Sequence, residues 1–139
     1  MPGLPNGVDT AVFNRVQHCF CETLELDPDE VSWDSKVLDD LGAESIDLLD
    51  VAFRLETAFD IQIPRGGLEA QAKDVDGEPG EVDGRLTVAG RDKLRELMPE
   101  VPADEIYEGM KTSELGTVFR VGTFYNIVLA LTEQRAAAG

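Results

Sequence analysis

Ser45 stands in the stretch LGAESIDLLDVAFRLETAFDIQIP, Leu41 to Pro64, between two acids and at the point where an amphipathic pattern begins. A serine there can cap a helix by accepting hydrogen bonds from the free N–H groups of the first turn. Capping alone leaves the acids and the apolar residues that follow unexplained. His18, Cys19 and Cys21 are the other residues with chemistry to offer. Three neighbours on one helix cannot converge on one ion, and the chain has no second histidine, so no metal site is expected. Side chains two apart on a helix point to different faces, which makes a Cys19–Cys21 disulfide unexpected and both thiols reduced. His18 neighbours Phe20 and has no evident acid or base partner, so no catalytic residue is expected. The acid-rich run DVDGEPGEVDGR fails as a calcium loop. Counted from Asp74, its sixth residue is Pro79 where glycine is needed and its twelfth is Arg85 where glutamate is needed, and the register from Asp76 fails too.

The elements that must position these residues belong to an acidic chain. With 139 residues, 42% of them hydrophobic, the sequence suits one domain, 1–139, with a modest core. Twelve Lys and Arg against 28 Asp and Glu give a formal charge of −16, which repels phosphate backbones and anionic lipid and attracts basic proteins. Nucleic acid is therefore excluded as a partner. No run approaches the roughly 20 apolar residues of a membrane span, and MPGLPNGVDT carries neither a positive patch nor an apolar signal core. A cytoplasmic protein is expected.

The spacing of Val12, Phe13, Val16, Cys19, Phe20, Thr23 and Leu24 predicts a first helix within Val8 to Leu24, capped by Asp9 or Thr10. Glu25 to Glu44 has no sustained period and reads as a long connection pinned by Val31, Trp33, Val37, Leu38 and Leu41. The helical period returns from Ser45 to Phe59 and stops before Pro64. Arg65 to about Pro102 looks like an insertion. Its Gly/Pro/acid run is expected to be mobile, and VAGRDKLREL to form a short helix whose Leu94 and Leu97 pack on the bundle. One or two helical turns follow in ADEIYEGM, then a last helix from Val118 to Gln134 using Val121, Phe124, Val128 and Leu131. No internal repeat is apparent.

On the second helix, steps of 100° place Leu48, Val51, Ala52, Leu55 and Phe59 on one broad face, the natural side to bury. Ile46, Leu49 and Phe53 fall on another, bordered by Asp47, Asp50 and Glu56. Either the loop or the insertion covers this second stripe, or it is a docking surface.

The stretch Leu41 to Pro64 closely resembles the signature of the acyl carrier protein family: Leu-Gly, then an acid, serine, hydrophobe and aspartate, then an acidic helix ending Phe-Asp-x-x-Ile-Pro. The order of the first helix, long loop and last helix agrees, whereas Arg65 to about Pro102 is additional. Glu44 stands where the family usually has Asp, and Ile46 where it usually has Leu. The resemblance implies an all-α, acyl-carrier-like four-helix bundle, three main helices and a short one, carrying an inserted loop and short helix. It also implies 4′-phosphopantetheine on Ser45, donated by coenzyme A through a phosphopantetheinyl transferase, and acyl cargo held as a thioester. The helix N-terminus would favour the phosphodiester's charge. Asp39, Asp40, Glu44, Asp47, Asp50 and Glu56 would meet basic patches on acyl synthases and transferases, with Ile46, Leu49 and Phe53 supplying apolar contacts to a monomeric carrier. Two alternatives stay open: an aminoacyl or peptidyl carrier, and an unmodified acidic helical adaptor. Arg54 either tempers the acidic field or pairs with Asp50.

Overall fold

The first helix, α1, runs Thr10–Leu24. Its start is set by Asp9, whose carboxylate accepts from the Val12 N–H at 3.2 Å, while the Asp9 N–H donates to the Tyr125 hydroxyl at 2.8 Å. The structure, a computed structural model, describes residues 4–63 and 73–138, and of Ser45 and residues 135–138 the backbone only. These divide into two compact units, Met1–Ile63 with Arg120–Gly139, and Pro64–Phe119.

In the first unit, Phe13, Val16, Cys19 and Phe20 form the buried stripe of α1 at the spacing the sequence predicts. The long connection is pinned as expected by Val31, Trp33 and Val37, all buried. Gln17 of α1, itself buried, donates from its amide to the carbonyls of Pro28 and Val31, both at 2.8 Å, and so fastens the loop around a 3-10 turn at Pro28–Glu30. Trp33 lies between Phe13 and Tyr125, with ring centroids 6.0 and 5.2 Å apart. The Gly122 N–H donates to the Trp33 carbonyl at 3.0 Å, and a Cβ on Gly122 would stand 2.5 Å from the indole. Only glycine permits that approach.

Helix α2, Ser45–Phe59, has the bounds read from the sequence and ends at Asp60 in the left-handed region, φ 54°. Val51 and Leu55 are fully buried, and Leu48, Ala52 and Phe59 half-buried, on the face expected to bury. The last helix of this unit, Val121–Ala138, begins three residues later than the sequence predicts, because Thr112–Val118 winds as a 3-10 turn and Arg120 bridges to Lys36. Val121, Phe124, Tyr125 and Val128 are buried, and Phe124 meets Phe20 edge-on at 5.2 Å. Among the described residues, no helix is long and apolar enough to cross a membrane.

In the second unit, residues 64–72, which include the first part of the expected insertion, lie outside the described residues. The Gly/Pro/acid run expected to be mobile instead forms two hairpins, which corrects that expectation. Strands β1, Asp74–Val75, and β2, Glu78–Pro79, pair antiparallel, as do β3, Glu81–Val82, and β4, Arg85–Leu86. The central residues of both turns have positive φ: 55° and 88° at Asp76 and Gly77, 53° and 75° at Asp83 and Gly84. Two-residue loops of that kind match strand twist, and Asp-Gly is a favoured pair for them. Val-Asp-Gly recurs at the two turns, Val75–Gly77 and Val82–Gly84.

Helix α3, Val88–Leu97, is capped by Thr87, whose hydroxyl accepts from the Gly90 N–H at 3.2 Å and donates to the Pro79 carbonyl at 2.8 Å. A Cβ on Gly90 would collide with the Gly80 backbone, so the helix closes directly onto the link between the hairpins. Leu94 is buried, with Leu86, Met98, Ile106, Met110 and Leu115, and Leu97 is half-buried. The chain after a 3-10 turn at Ala103–Glu105 returns alongside β4: the Leu86 N–H donates to the Met110 carbonyl at 2.9 Å, and Arg85 bridges to Lys111. In chain order the final helix of the first unit, Val121–Ala138, is α4.

Candidate functional site

A tight turn sets the start of α2. The N–H groups of Asp40 and Leu41 donate to the Lys36 carbonyl at 2.8 and 3.1 Å, and the Asp40 carboxylate accepts from the Lys36 N–H at 2.8 Å. Gly42 takes φ 73°, and the Ala43 N–H reaches the Val37 carbonyl at 3.1 Å, so a buried alanine anchors the chain just before the helix. Glu44 is the N-cap, its N–H donating to the Asp47 carboxylate at 2.8 Å. Ser45 is consequently the first helical residue, one place beyond the position where a capping hydroxyl works.

Beside Ser45 the second stripe is open: Ile46 is 68% exposed, Leu49 62% and Phe53 65%. These are among the most exposed large apolar residues in the described chain, and they share a helix whose opposite face is core. The acids around them are arranged with less freedom than the sequence suggests. Asp39, Glu44 and Asp50 are exposed, whereas Asp40 closes the turn, Asp47 closes the helix start, and Glu56 accepts from the Ile63 N–H at 2.8 Å. Arg54 pairs with Asp50 at 3.3 Å, one of the two alternatives that the sequence leaves open, and also reaches Glu22 of α1 at 3.7 Å.

Glu22 in turn takes His18 at 3.1 Å. An open groove of about 540 Å³ runs along the α1–α2 seam here, lined by Arg15, His18, Cys19, Phe53, Arg54 and Ala58 among others. Arg15 lies over the Phe59 ring at 4.1 Å and donates to the Ala58 carbonyl. Sequence reasoning passed over Arg15. Its spacing to His18 and Glu22, three and seven residues, was the signal that these polar groups share one edge of α1.

Cys19 and Cys21 are free thiols. Burial pushes the Cys19 thiol up, with Glu22 adding to it, and burial followed by Asp27, Glu30 and Asp29 does the same to Cys21. Neither therefore has the thiolate character of a nucleophile. Among the described residues, no group of three or more His, Cys, Asp or Glu could hold a metal ion.

A family model described as the phosphopantetheine attachment site matches residues 14–71, a span from within α1 through all of α2. An acyl carrier protein of Sulfurovum is 45% identical over 62 residues, covering 45% of this chain and 83% of the relative. One of Campylobacter lari is 38% identical over 63 residues, covering 45% and 82%. Acyl carrier protein AcpXL of Brucella melitensis is 40% identical over 55 residues, covering 40% and 59%. The matched span holds the open helix α2, its acidic border and the residue that begins it, and stops short of most of the second unit. The chain belongs to the acyl carrier protein family, and its prosthetic group is a covalently attached 4′-phosphopantetheine.

Proposed function

We propose that Ser45 bears the 4′-phosphopantetheine arm, and that the protein carries acyl intermediates for fatty-acid, lipid or polyketide-type biosynthesis in the cytoplasm. The observation that carries the reading is the place of Ser45: it opens α2 beyond the cap, next to a stripe of Ile46, Leu49 and Phe53 that faces solvent. An attached phosphodiester would be an anion at a helix N-terminus, where unpaired N–H groups and the macrodipole favour it. When bound, the arm supplies a terminal thiol that holds cargo as a thioester. The chain's own residues do the rest: Asp39, Asp40, Glu44, Asp47, Asp50 and Glu56 attract a basic partner, and the apolar stripe gives it something to bury. The partners on this reading are a phosphopantetheinyl transferase and acyl-processing enzymes. The relatives' names favour acyl over aminoacyl or peptidyl cargo. We read 1–139 as one carrier with an insertion after α2.

The test is intact mass after incubation with coenzyme A and a broad-specificity transferase. One added prosthetic group on the wild type and none on Ser45→Ala is the expected result; modification that survives in Ser45→Ala, or none in the wild type, would remove the proposal. The mass of protein purified from its host would then identify the cargo.

A further inference from the structure

The α1–α2 groove sets two arginines, with one acid, Glu22, into an otherwise acidic surface. The first unit has 5 Lys and Arg against 15 Asp and Glu. Two of those five, Arg15 and Arg54, line this groove together with the only histidine in the chain. Phe53 belongs both to the groove and to the exposed stripe of α2, so the two surfaces are continuous. Eight residues separate Phe53 from Ser45, about 12 Å along a helix, within the span of one ordinary protein interface.

A purely structural account is available for Arg54, which ties α2 to α1 through Glu22. Its partners are about half exposed, however, and ion pairs of that kind are worth at most about 1 kcal/mol. A carboxylate arriving from a partner can compete for the same guanidinium, and its loss of hydration is shared by the apolar wall of Phe53, Ala58 and Cys19. Arg15 is held in place by Phe59 and the Ala58 carbonyl, a planar fork already fixed before any partner arrives.

Resting on the reading of Ser45 as the modified residue, we infer that this groove is a second contact point for the transferase that modifies it, receiving a carboxylate side chain of that enzyme with an apolar neighbour against Phe53. The footprint on the carrier then has two signs. Acids around Ser45 meet the enzyme's basic patch, and the cations of the groove meet an acid that fixes the register.

The sign of a mutational effect decides the matter. Wild-type loading is first confirmed by intact mass, with the group on Ser45; failure at that step is failure of the carrier reading itself. Steady-state loading kinetics then follow on Arg15→Gln, Arg54→Gln and Thr57→Glu, the last an exposed residue in the groove wall. All three make an acidic carrier more acidic, so steering by charge alone leaves KM for the carrier unchanged or lowers it. The inference expects KM to rise about tenfold for each Arg variant, the usual worth of one charged hydrogen bond, with kcat and the melting temperature retained. Thr57→Glu should raise KM as well, and Arg54→Lys should restore part of the loss. A purely bridging Arg54 would instead lower the melting temperature and leave KM alone. An unchanged or lowered KM in folded Thr57→Glu overturns the inference.

Discussion

Asp47 serves two purposes that a charge-reversal experiment would confuse. It borders the exposed stripe, yet it also accepts the Glu44 N–H at 2.8 Å and so holds the first turn of the helix. Asp47→Ala should cost about 1 kcal/mol through the lost cap alone, measured as a shift in the denaturation midpoint. Asp39 and Asp50 are the better probes of steering, since both are exposed and the pairing of Asp50 with Arg54 is a surface one. Asp39→Lys combined with Asp50→Lys should slow transferase loading and flatten its salt dependence while thermal melts stay near wild type; equal rates at low salt would make these acids a solvated face. The two cysteines allow a second check at this scale. Their raised pKa keeps the thiol protonated at neutral pH, so alkylation by iodoacetamide should be slower in the native protein than in urea, and should accelerate only as pH climbs past the ordinary thiol range. The resemblance around Ser45 could be read from the sequence because the identities and spacing that carry it are local. What sequence could not supply is which acids are already engaged, since Asp40 and Glu56 are bound to backbone groups that only the folded turns bring near.

The helices α1 and α2 were legible almost to the residue, because a buried stripe at spacings of three and four leaves few other foldings, and Asp9 before the first and Pro64 after the second punctuate them in plain view. The hairpins were not. Their strands are two residues long, too short for any alternation to register, and their acids drew attention as ligands when the structural work is done by Asp-Gly turns. The 3-10 turn at Thr112–Val118 hid the true start of α4 for a similar reason, since its spacing mimics one more helical turn. The hairpins also reverse what composition suggests about tolerance. Deleting Lys73 to Gly84 would remove the Lys73 carbonyl that accepts from Gly80, the Pro79 carbonyl that takes the Thr87 hydroxyl, and the Gly80 backbone on which α3 closes. The deletion should therefore unfold the second unit, whereas a loose loop would be lost without effect. Thr87→Ala is the milder version and should destabilise that unit by about 1 kcal/mol, read as faster amide exchange in Val88 to Leu97.

At the scale of the whole molecule, the chain leaves the first unit after Ile63 and re-enters it at Arg120, so that unit is assembled from two separated stretches. Each unit has a glycine that admits no side chain, and these give a matched pair of perturbations. Gly122 is closed by the Trp33 indole, within the core that supports α2, while Gly90 is closed by the Gly80 backbone in the second unit. Forcing a methyl into either site should cost about 1–3 kcal/mol, the usual penalty for overpacking, with the rigid backbone partner of Gly90 pushing toward the upper end. If the units keep separate cores, the damage should stay where it is made. Gly122→Ala should raise amide exchange in α1, α2 and α4 and slow transferase loading, because the turn and helix that present Ser45 lose their support. Gly90→Ala should raise exchange in α3 and the hairpins while Ser45 loads at a rate within about twofold of wild type, a change under roughly 0.5 kcal/mol in barrier. Loss of protection across both units in Gly90→Ala, with loading lost in proportion, would mean that the second unit is part of the carrier's folding core and not an insertion that it tolerates.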